Sequence, residues 1–342
     1  MTLTSLPDAD HEPLRGGPTL RWGVLAPGRI AASFVGSLNK STDQKVVAVA
    51  SRSQERAQQF ASEHGIDTAY GSYDQLLADD SVDIVYVAAP HNEHARLAHA
   101  AIAAGKHVLI EKPIATTVAE ARGIADAAAH AGVFAMEAMW SRYLPQATIV
   151  AQLLADGALG EPRFVEADFG FLARFDPASR LYNPELAGGA LLDLGVYPLS
   201  FASMVLGTPS HVSAASEPAP TGVDAQTSML LGYPSGAHAL LSCGFRGSAE
   251  NRATIVGTHG RIDISGQFWR PTTYAVIDSD GGRTEVDARA EGHGIRFEAA
   301  EVGRCVREGL HESPVLTLDE TVAVMETLDE VRRQIGLSYP SE

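Results

Sequence analysis

The sequence predicts an α/β protein with two domains: an N-terminal doubly wound parallel sheet and a C-terminal α+β domain with a largely antiparallel, open sheet. Two observations lead to this prediction. From residue 19 to about residue 140, short apolar runs alternate regularly with helical segments. Beyond residue 140 that alternation stops, and several β-rich runs follow one another. Continuous apolar strands that alternate with helices are typical of a parallel sheet covered on both faces.

The first domain, predicted over 19–140, contains five apolar runs, each of which we expect to form a strand. In order they are LRWGVLA, KVVAVAS, DIVYVAA, KHVLIE and VFAMEA. Right-handed crossovers between such strands give the Rossmann arrangement, in which ligands bind at the carboxyl ends of the strands. Residues 1–18 are polar and rich in Pro and Gly, so we expect a disordered tail.

The second domain, predicted over 141–342, is expected to bind substrate and to mediate oligomerisation. Its segments are a helix near 143–156, the strand PRFVEADFGF, the helix GGALLDLGVYPLSFASMVLG, several strands between about 225 and 287, and two final helices near 295–309 and 317–336. Whether the last helices pack back on the first domain stays open.

Composition excludes some classes of function. The net charge of −16 lacks the basic face that nucleic-acid binding requires. The chain has two cysteines without metal-binding spacing, no N-terminal apolar segment typical of a signal peptide, and no apolar run near the ~18 residues of a membrane span. We therefore expect a cytoplasmic protein that binds neither nucleic acid nor membrane.

The turn after the first strand has the position of a dinucleotide-binding turn. The sequence Ala26-Pro27-Gly28-Arg29-Ile30-Ala31 keeps one of the three glycines in the G-x-G-x-x-G pattern. Because the turn opens the first helix of a βαβ unit, we expect Gly28, Arg29 and Ile30 to bind pyrophosphate there.

The end of the second strand indicates which dinucleotide is bound. NAD enzymes place Asp or Glu about 20 residues after the glycines, where it bonds the ribose 2′-hydroxyl. Here Ser51 and Arg52 occupy that place, and Arg56 lies one helical turn further on. A guanidinium suits a 2′-phosphate, so we predict NADP, with NAD as the alternative.

The segment AAPHNEHA follows the strand DIVYVAA and lies at the same sheet edge. We expect Pro90 and His94 to lie near the cofactor. His91 and His94 lack a third donor at metal-binding spacing, so no metal site is predicted.

The stretch LIEKPIATT places Glu111 and Lys112 at the end of a buried strand. Pro113 directs the chain out of that strand. We predict that Glu111 and Lys112 face the cofactor, because this edge of a doubly wound sheet is the ligand edge.

The helix GGALLDLGVYP brings a carboxylate and a phenol together. Asp193 and Tyr197 are four residues apart, which places them on one face of a helix. Their neighbours are apolar, so composition alone allows either a pair of satisfied core residues or a functional site.

The first βαβ unit, Glu111-Lys112-Pro113 and GGALLDLGVYP together resemble the Gfo/Idh/MocA oxidoreductase family. MEAMWSRYLP, VEADFG, GIRFEA and EVRRQIGLSYP resemble its branch of dimeric dihydrodiol dehydrogenases and NADP-dependent D-xylose 1-dehydrogenases. The resemblance covers nearly all of the chain after residue 19. Ala26 and Pro27 depart from the glycine turn of that family.

The resemblance implies roles for five residues. Lys112 and Tyr197 would be the catalytic pair with Asp193 beside them, and Trp140 and Phe169 would wall the substrate pocket. It further implies that the sheet of the second domain forms a homodimer or a higher oligomer.

The chemistry of these residue types agrees with that implication. Oxidising a carbinol requires a base for the hydroxyl proton. A phenol, with a pKa of about 10, becomes a usable base when an ammonium lies nearby. We therefore expect an enzyme that oxidises a sugar or cyclic diol, with a xylose-like aldose oxidised at C1 as the first candidate. The alternatives are oxidation at another carbon, such as the glycoside 3-position or an inositol carbon, and a dinucleotide-sensing regulator without turnover.

Overall fold

A computed structural model describes residues 6–289 and 294–340. These residues divide into two compact units. The nucleotide unit contains 11–143 and the described part of 292–322, and the sheet unit contains the described parts of 1–10, 144–291 and 323–342.

A six-stranded sheet forms the centre of the nucleotide unit, and all of its strand pairs are parallel. Its order is β3-β2-β1-β4-β5-β6. Successive strands are therefore added on one side of β1 up to β3 and on its other side from β4 onward. The strands are β1 (Arg21–Leu25), β2 (Lys45–Ala50), β3 (Thr68–Tyr70), β4 (Ile84–Val87), β5 (His107–Glu111) and β6 (Ala135–Ala138). The predicted doubly wound parallel sheet is confirmed. The three-residue edge strand β3 was missed, because its length gives no apolar run.

Helices connect these strands, and local sequence signals set their ends. They are α1 (Arg29–Ser41), α2 (Gln54–His64), α3 (Tyr73–Leu77), α4 (His94–Ala103) and α5 (Val118–Ala131). Ser53 and Thr117 cap α2 and α5 by accepting backbone N–H groups, and Gly65 and Gly132 end the same helices in the left-handed conformation.

An eight-stranded sheet dominates the sheet unit, in the order β14-β13-β12-β11-β7-β10-β9-β8. All neighbouring pairs are antiparallel except β7 with β10, which is parallel. Its strands are β7 (Pro162–Gly170), β8 (His211–Pro218), β9 (Asp224–Gly232), β10 (His238–Gly244), β11 (Ala253–Gly257), β12 (Gly260–Ile264), β13 (Thr273–Asp278) and β14 (Arg283–Asp287). The predicted α+β second domain is confirmed.

The helices after β6 complete both units. They are α6 (Pro145–Ala155), α7 (Val196–Leu206), α8 (Ile295–Arg307) and α9 (Leu318–Ile335). Helix α8 belongs to the nucleotide unit, and the boundary between the units falls within α9. A π-helical turn, Leu191–Gly195, leads directly into α7.

The stretch Pro184–Leu206 corrects one expectation. Its length and mean hydropathy of 1.5 would suffice to cross a membrane, although no such run was recognised in the sequence. In the structure 78% of its most apolar window is buried, and a buried core helix gives the same signal.

The residues before β1 contact the nucleotide unit. Arg15 forms an ion pair with Asp43, and the His11 ring packs edge-on against Phe297. Residues 6–18 form no helix or strand, and residues 1–5 lie outside the described residues. The disorder expected for 1–18 stays a prediction.

Candidate active site

The N-terminus of α1 is open, as a phosphate site requires. Gly28 is its N-cap residue, no side chain caps the helix, and its first turn contains no acidic residue. A Cβ atom at Gly28 would meet nothing closer than the Ala26 carbonyl oxygen at 4.0 Å. Gly28, Arg29 and Ile30 are exposed. The site therefore fits a pyrophosphate bound by backbone N–H groups and the helix dipole.

Ala26 has a backbone conformation that favours glycine. Its φ of 63° lies in the left-handed region, which costs an alanine on the order of 1 kcal/mol. The turn thus keeps its backbone shape without the glycine.

Two guanidinium groups follow β2. Arg52 and Arg56 are exposed, and among the described residues neither forms an ion pair. Ser51 is buried, and its hydroxyl accepts the N–H of Ser53 at 3.3 Å. Tyr73 at the start of α3 lies within electrostatic range of both arginines, which counteract the rise that burial causes in its pKa. Sequence reasoning missed Tyr73, which no dinucleotide motif marks.

Pro90 and His94 lie after β4, where the structure gives His94 a defined set of partners. The ring is fully buried, with Nδ1 2.8 Å from the Pro113 carbonyl oxygen and Nε2 2.8 Å from that of Ala89. His94 therefore joins two loops at the carboxyl edge of the sheet. Its contact with a cofactor stays a prediction. Among the described residues, no group of three or more His, Cys, Asp or Glu could hold a metal ion.

Glu111 ends β5, but its side chain points into the protein. The carboxylate accepts the hydroxyl of Tyr86 and, at 3.2 Å, the backbone N–H of Lys112. Lys112 is half-buried and is joined to Pro113 by a cis peptide bond. Adjacent residues at the strand end thus face different surroundings, and we expect Lys112 rather than Glu111 to act in the chemistry.

Two further buried carboxyl groups lie near this strand end. Glu137 in β6 accepts the Ile114 N–H at 2.9 Å, and burial raises its pKa to about 7 although the Lys112 charge lowers it. Glu298 in α8 is 0% exposed, and burial together with the charges of Glu111 and Glu137 raises its pKa well above the usual value. Sequence reasoning overlooked both, although Glu137 interrupts the apolar run VFAMEA.

In the sheet unit, Asp193 and Tyr197 lie at the junction of the π-helical turn and α7. Both are buried. Asp193 accepts two hydrogen bonds from Arg180, Nη1 to Oδ1 at 3.1 Å and Nη2 to Oδ2 at 2.9 Å. π-Helical turns within α-helices are frequent at functional sites.

Aromatic rings surround Tyr197. Phe169 at the end of β7 stacks on Trp269 with ring centroids 3.5 Å apart and planes 11° apart. The Tyr197 ring lies 5.4 Å from Phe169 and 6.1 Å from Trp269. Trp269 was missed, because it lies in an irregular segment 100 residues after Phe169.

The predicted site residues thus form one group in each unit. The nucleotide unit carries those of the strand ends: Gly28, Arg29, Ile30, Ser51, Arg52, Arg56, Pro90, His94, Glu111, Lys112 and Trp140. The sheet unit carries Phe169, Asp193 and Tyr197.

Comparisons with known proteins agree with both halves. Residues 20–139 match the model "Oxidoreductase family, NAD-binding Rossmann fold", and residues 148–263 match the Gfo/Idh/MocA C-terminal domain. The chain is 38% identical over 335 residues to a mouse trans-1,2-dihydrobenzene-1,2-diol dehydrogenase, covering 94% of this chain and 99% of the relative. The human protein of that name is 36% identical with the same coverage.

Solved structures show the same architecture. The 3-ketoreductase KijD10 from Actinomadura kijaniata, in complex with NADP and TDP-benzene, is 28% identical, with a TM-score of 0.82 over 93% of this chain and 98% of that chain. An aldose-aldose oxidoreductase from Caulobacter crescentus is 25% identical, with a TM-score of 0.83 over 92% of this chain and 97% of that chain.

The family matches cover both units, the relatives cover nearly the whole chain, and the nucleotide unit offers the phosphate site of a dinucleotide fold. The chain belongs to the Gfo/Idh/MocA family and is an NAD(P)-dependent dehydrogenase that acts on CH–OH groups.

Proposed function

We propose that the enzyme prefers NADP and oxidises a ring carbon that bears a hydroxyl group beside a second hydroxyl group. An aldose such as xylose, oxidised at C1, is the first candidate. A cyclic trans-diol is the second, favoured by the name of the relatives that are 36–38% identical. Both substrates present a ring with neighbouring hydroxyl groups.

The observation that carries this proposal is the arrangement around Tyr197. The stacked pair of Phe169 and Trp269 offers apolar ring faces, and Tyr197 lies beside both. Asp193, on the preceding turn, offers a carboxylate for a second hydroxyl group. An aromatic face with one acceptor for orientation is suited to a ring with adjacent hydroxyl groups.

Tyr197 acts as the general acid/base in this proposal. Its phenolate takes the hydroxyl proton, and the Lys112 ammonium stabilises the phenolate by its charge. The nicotinamide cofactor, when bound, accepts the hydride from the same carbon. Asp193 accepts a hydrogen bond from a neighbouring hydroxyl group and thereby orients the ring.

Arg52 and Arg56 support the preference for NADP. Both are exposed beside the carboxyl end of β2, and no acidic residue stands in the place that NAD enzymes reserve for the ribose 2′-hydroxyl. A 2′-phosphate would meet two positive charges there.

Turnover assays with a substrate panel and both cofactors test the proposal. The panel contains aldoses, cyclic trans-diols, glycosides and inositols, each with NADP and NAD. We expect the highest kcat/KM with NADP on an aldose or a cyclic diol. NADP binding without turnover of any substrate would instead indicate a regulatory protein, and a clear preference for glycosides would move the reaction to another carbon.

We also propose that the eight-stranded sheet forms a contact between subunits of a homo-oligomer. Leu230 and Leu240 face each other on neighbouring strands and are 41% and 46% exposed. Adjacent exposed leucines form an apolar area on the open sheet that a second subunit would cover. Light scattering at micromolar concentration should give at least a dimer mass, and a monomer mass would contradict this assignment.

A further inference from the structure

The Asp193 carboxylate is held by a residue that no motif marks. Arg180 donates from both Nη atoms, one to each carboxylate oxygen, at 3.1 and 2.9 Å. The Asp193 side chain is 11% exposed, whereas that of Arg180 is 43% exposed. The buried carboxylate is therefore clamped by an arginine that extends to the surface.

The segment that carries Arg180 is fastened to the start of the Asp193 turn by its backbone. Gly188 N–H donates to the Asn183 carbonyl oxygen at 3.0 Å, and Gly189 N–H donates to that of Leu181 at 2.9 Å. A Cβ atom at Gly188 would lie 2.5 Å from the Arg180 carbonyl oxygen. Such close packing fixes the backbone position of Arg180 relative to the turn. The Arg180 side chain therefore starts from a fixed point near Asp193.

We propose that Arg180 is a positioning residue, which fixes the plane and the negative charge of the Asp193 carboxylate so that Asp193 accepts a substrate hydroxyl group. This inference rests on the proposed function. A bidentate arginine bonds both carboxylate oxygens at once, which sets the plane of the carboxylate and favours its charged form. Lysine would supply the charge without the fork that sets the plane.

Other ionisable groups on the elements around this turn are engaged differently. On β9, the Asp224 carboxylate accepts the N–H of Leu191. On β10, Cys243 lies against Gly195. On β7, the Asp168 carboxylate accepts N–H groups of Asn251 and Arg252. Tyr197 lies on the same helical segment as Asp193, and its ring lies 5.4 Å from that of Phe169 and 6.1 Å from that of Trp269. Arg180, by contrast, forms an ion pair with Asp193 at 2.9 Å.

The test compares Arg180→Gln, Arg180→Lys and the control Arg174→Gln, which alters an exposed arginine in the same segment. For Arg180→Gln we expect kcat/KM to fall about 10–100-fold, mainly through KM, while the Kd for NADP stays unchanged. Below the limb that Tyr197 sets, a second fall in kcat/KM should appear at acid pH, because a carboxylate without its cation holds its proton more tightly. Arg180→Lys should remove this second fall but keep a raised KM.

A double mutant separates positioning from a general loss of structure. In an Asp193→Asn background, Arg180→Gln should change kcat/KM less than about twofold, because Arg180 acts through Asp193. Additive losses, the absence of a second fall in kcat/KM at acid pH, or an equal effect of Arg174→Gln would overturn the inference. Should Arg180→Gln not fold, Arg180→Lys carries the same test through its raised KM. Wild-type enzyme without turnover would overturn the proposed function and this inference together, whereas normal turnover by all Arg180 variants would overturn this inference alone.

Discussion

The two sheets of this protein place their functional residues by different means. In the nucleotide unit, β1 and β4 are buried almost throughout, and the candidate residues follow the carboxyl ends of such strands. In the sheet unit, β9 alternates between buried and exposed residues, and Asp193 and Tyr197 lie on a helical segment instead. Parallel topology therefore determines the first group of residues, whereas contacts distant in sequence determine the second.

The largest loss of activity should come from removing the Tyr197 hydroxyl in the sheet unit or the Lys112 charge in the nucleotide unit. Tyr197→Phe keeps the ring and removes the hydroxyl, so kcat should fall about 10²–10⁴-fold with little change in NADP affinity. Lys112→Met removes the charge, and its residual activity should recover at alkaline pH, where an untuned phenol ionises.

A pH–rate profile for wild type, both single mutants and the double mutant measures these effects. The two losses should be non-additive because each residue acts through the other. If Tyr197→Phe retains most of the activity, the base is elsewhere, and the assignment of one catalytic residue to each unit is wrong.

Gly189→Ala should reveal how strongly the sheet unit depends on distant contacts. Gly189 has a φ of 120°, and a Cβ atom there would collide with the Asp224 carboxylate. We expect a loss of about 2–4 kcal/mol in the free energy of unfolding. Gly236→Ala is the matched control, because Gly236 has a φ of 79° but faces open space. Denaturant unfolding of both variants measures the difference, and equal losses would show that backbone strain alone is responsible.

Arg52→Asp tests whether the residue that follows β2 in the nucleotide unit selects the cofactor. We expect the KM for NADP to rise about 10–100-fold, because the new carboxylate repels the 2′-phosphate. The KM for NAD should change little, because the same carboxylate accepts a hydrogen bond from the 2′-hydroxyl. Initial rates with both cofactors measure this ratio. A wild-type enzyme that already favours NAD strongly would contradict the interpretation of Arg52.

The smallest effect concerns Asp224, which holds the start of the π-helical turn that carries Asp193. Its carboxylate accepts the Leu191 N–H and the Thr227 hydroxyl, each at 2.8 Å, and burial raises its pKa from 3.8 to about 6. Because the folded-state pKa is raised, the fold favours the protonated carboxyl. The associated stability is complete below about pH 4 and is lost as the pH rises through 6.

Asp224→Asn removes this titration. Between pH 4.5 and 7.5, the stability of the variant relative to wild type should improve by on the order of 1–3 kcal/mol. Thermal unfolding at both pH values checks the direction. A stability difference that does not vary with pH would mean that Asp224 keeps its ordinary ionisation in the fold.

The difference between the two units also explains which site residues could be predicted from the sequence. Lys112 and Arg52 could be located because the apolar runs before them are strands, and parallel strands bring their carboxyl ends to one edge. Arg180 and Trp269 could not, because no periodicity connects Arg180 to the helix that follows or Trp269 to Phe169. The inward direction of Glu111 depends on its bond to Tyr86, which lies 25 residues away.

The discontinuity of the nucleotide unit has a consequence for how the protein is made. Helix α8 packs against α1, and a Cβ atom at Gly303 would lie 2.8 Å from the Pro18 carbonyl oxygen. The ribosome must therefore synthesise nearly the entire chain before this unit can close. At about 5–20 residues per second, the surface of α1 that α8 covers waits roughly 13–50 seconds for its partner. A fragment that stops at Tyr143 would keep that surface exposed, so the Rossmann sheet of this protein is poorly suited to isolation as a separate domain.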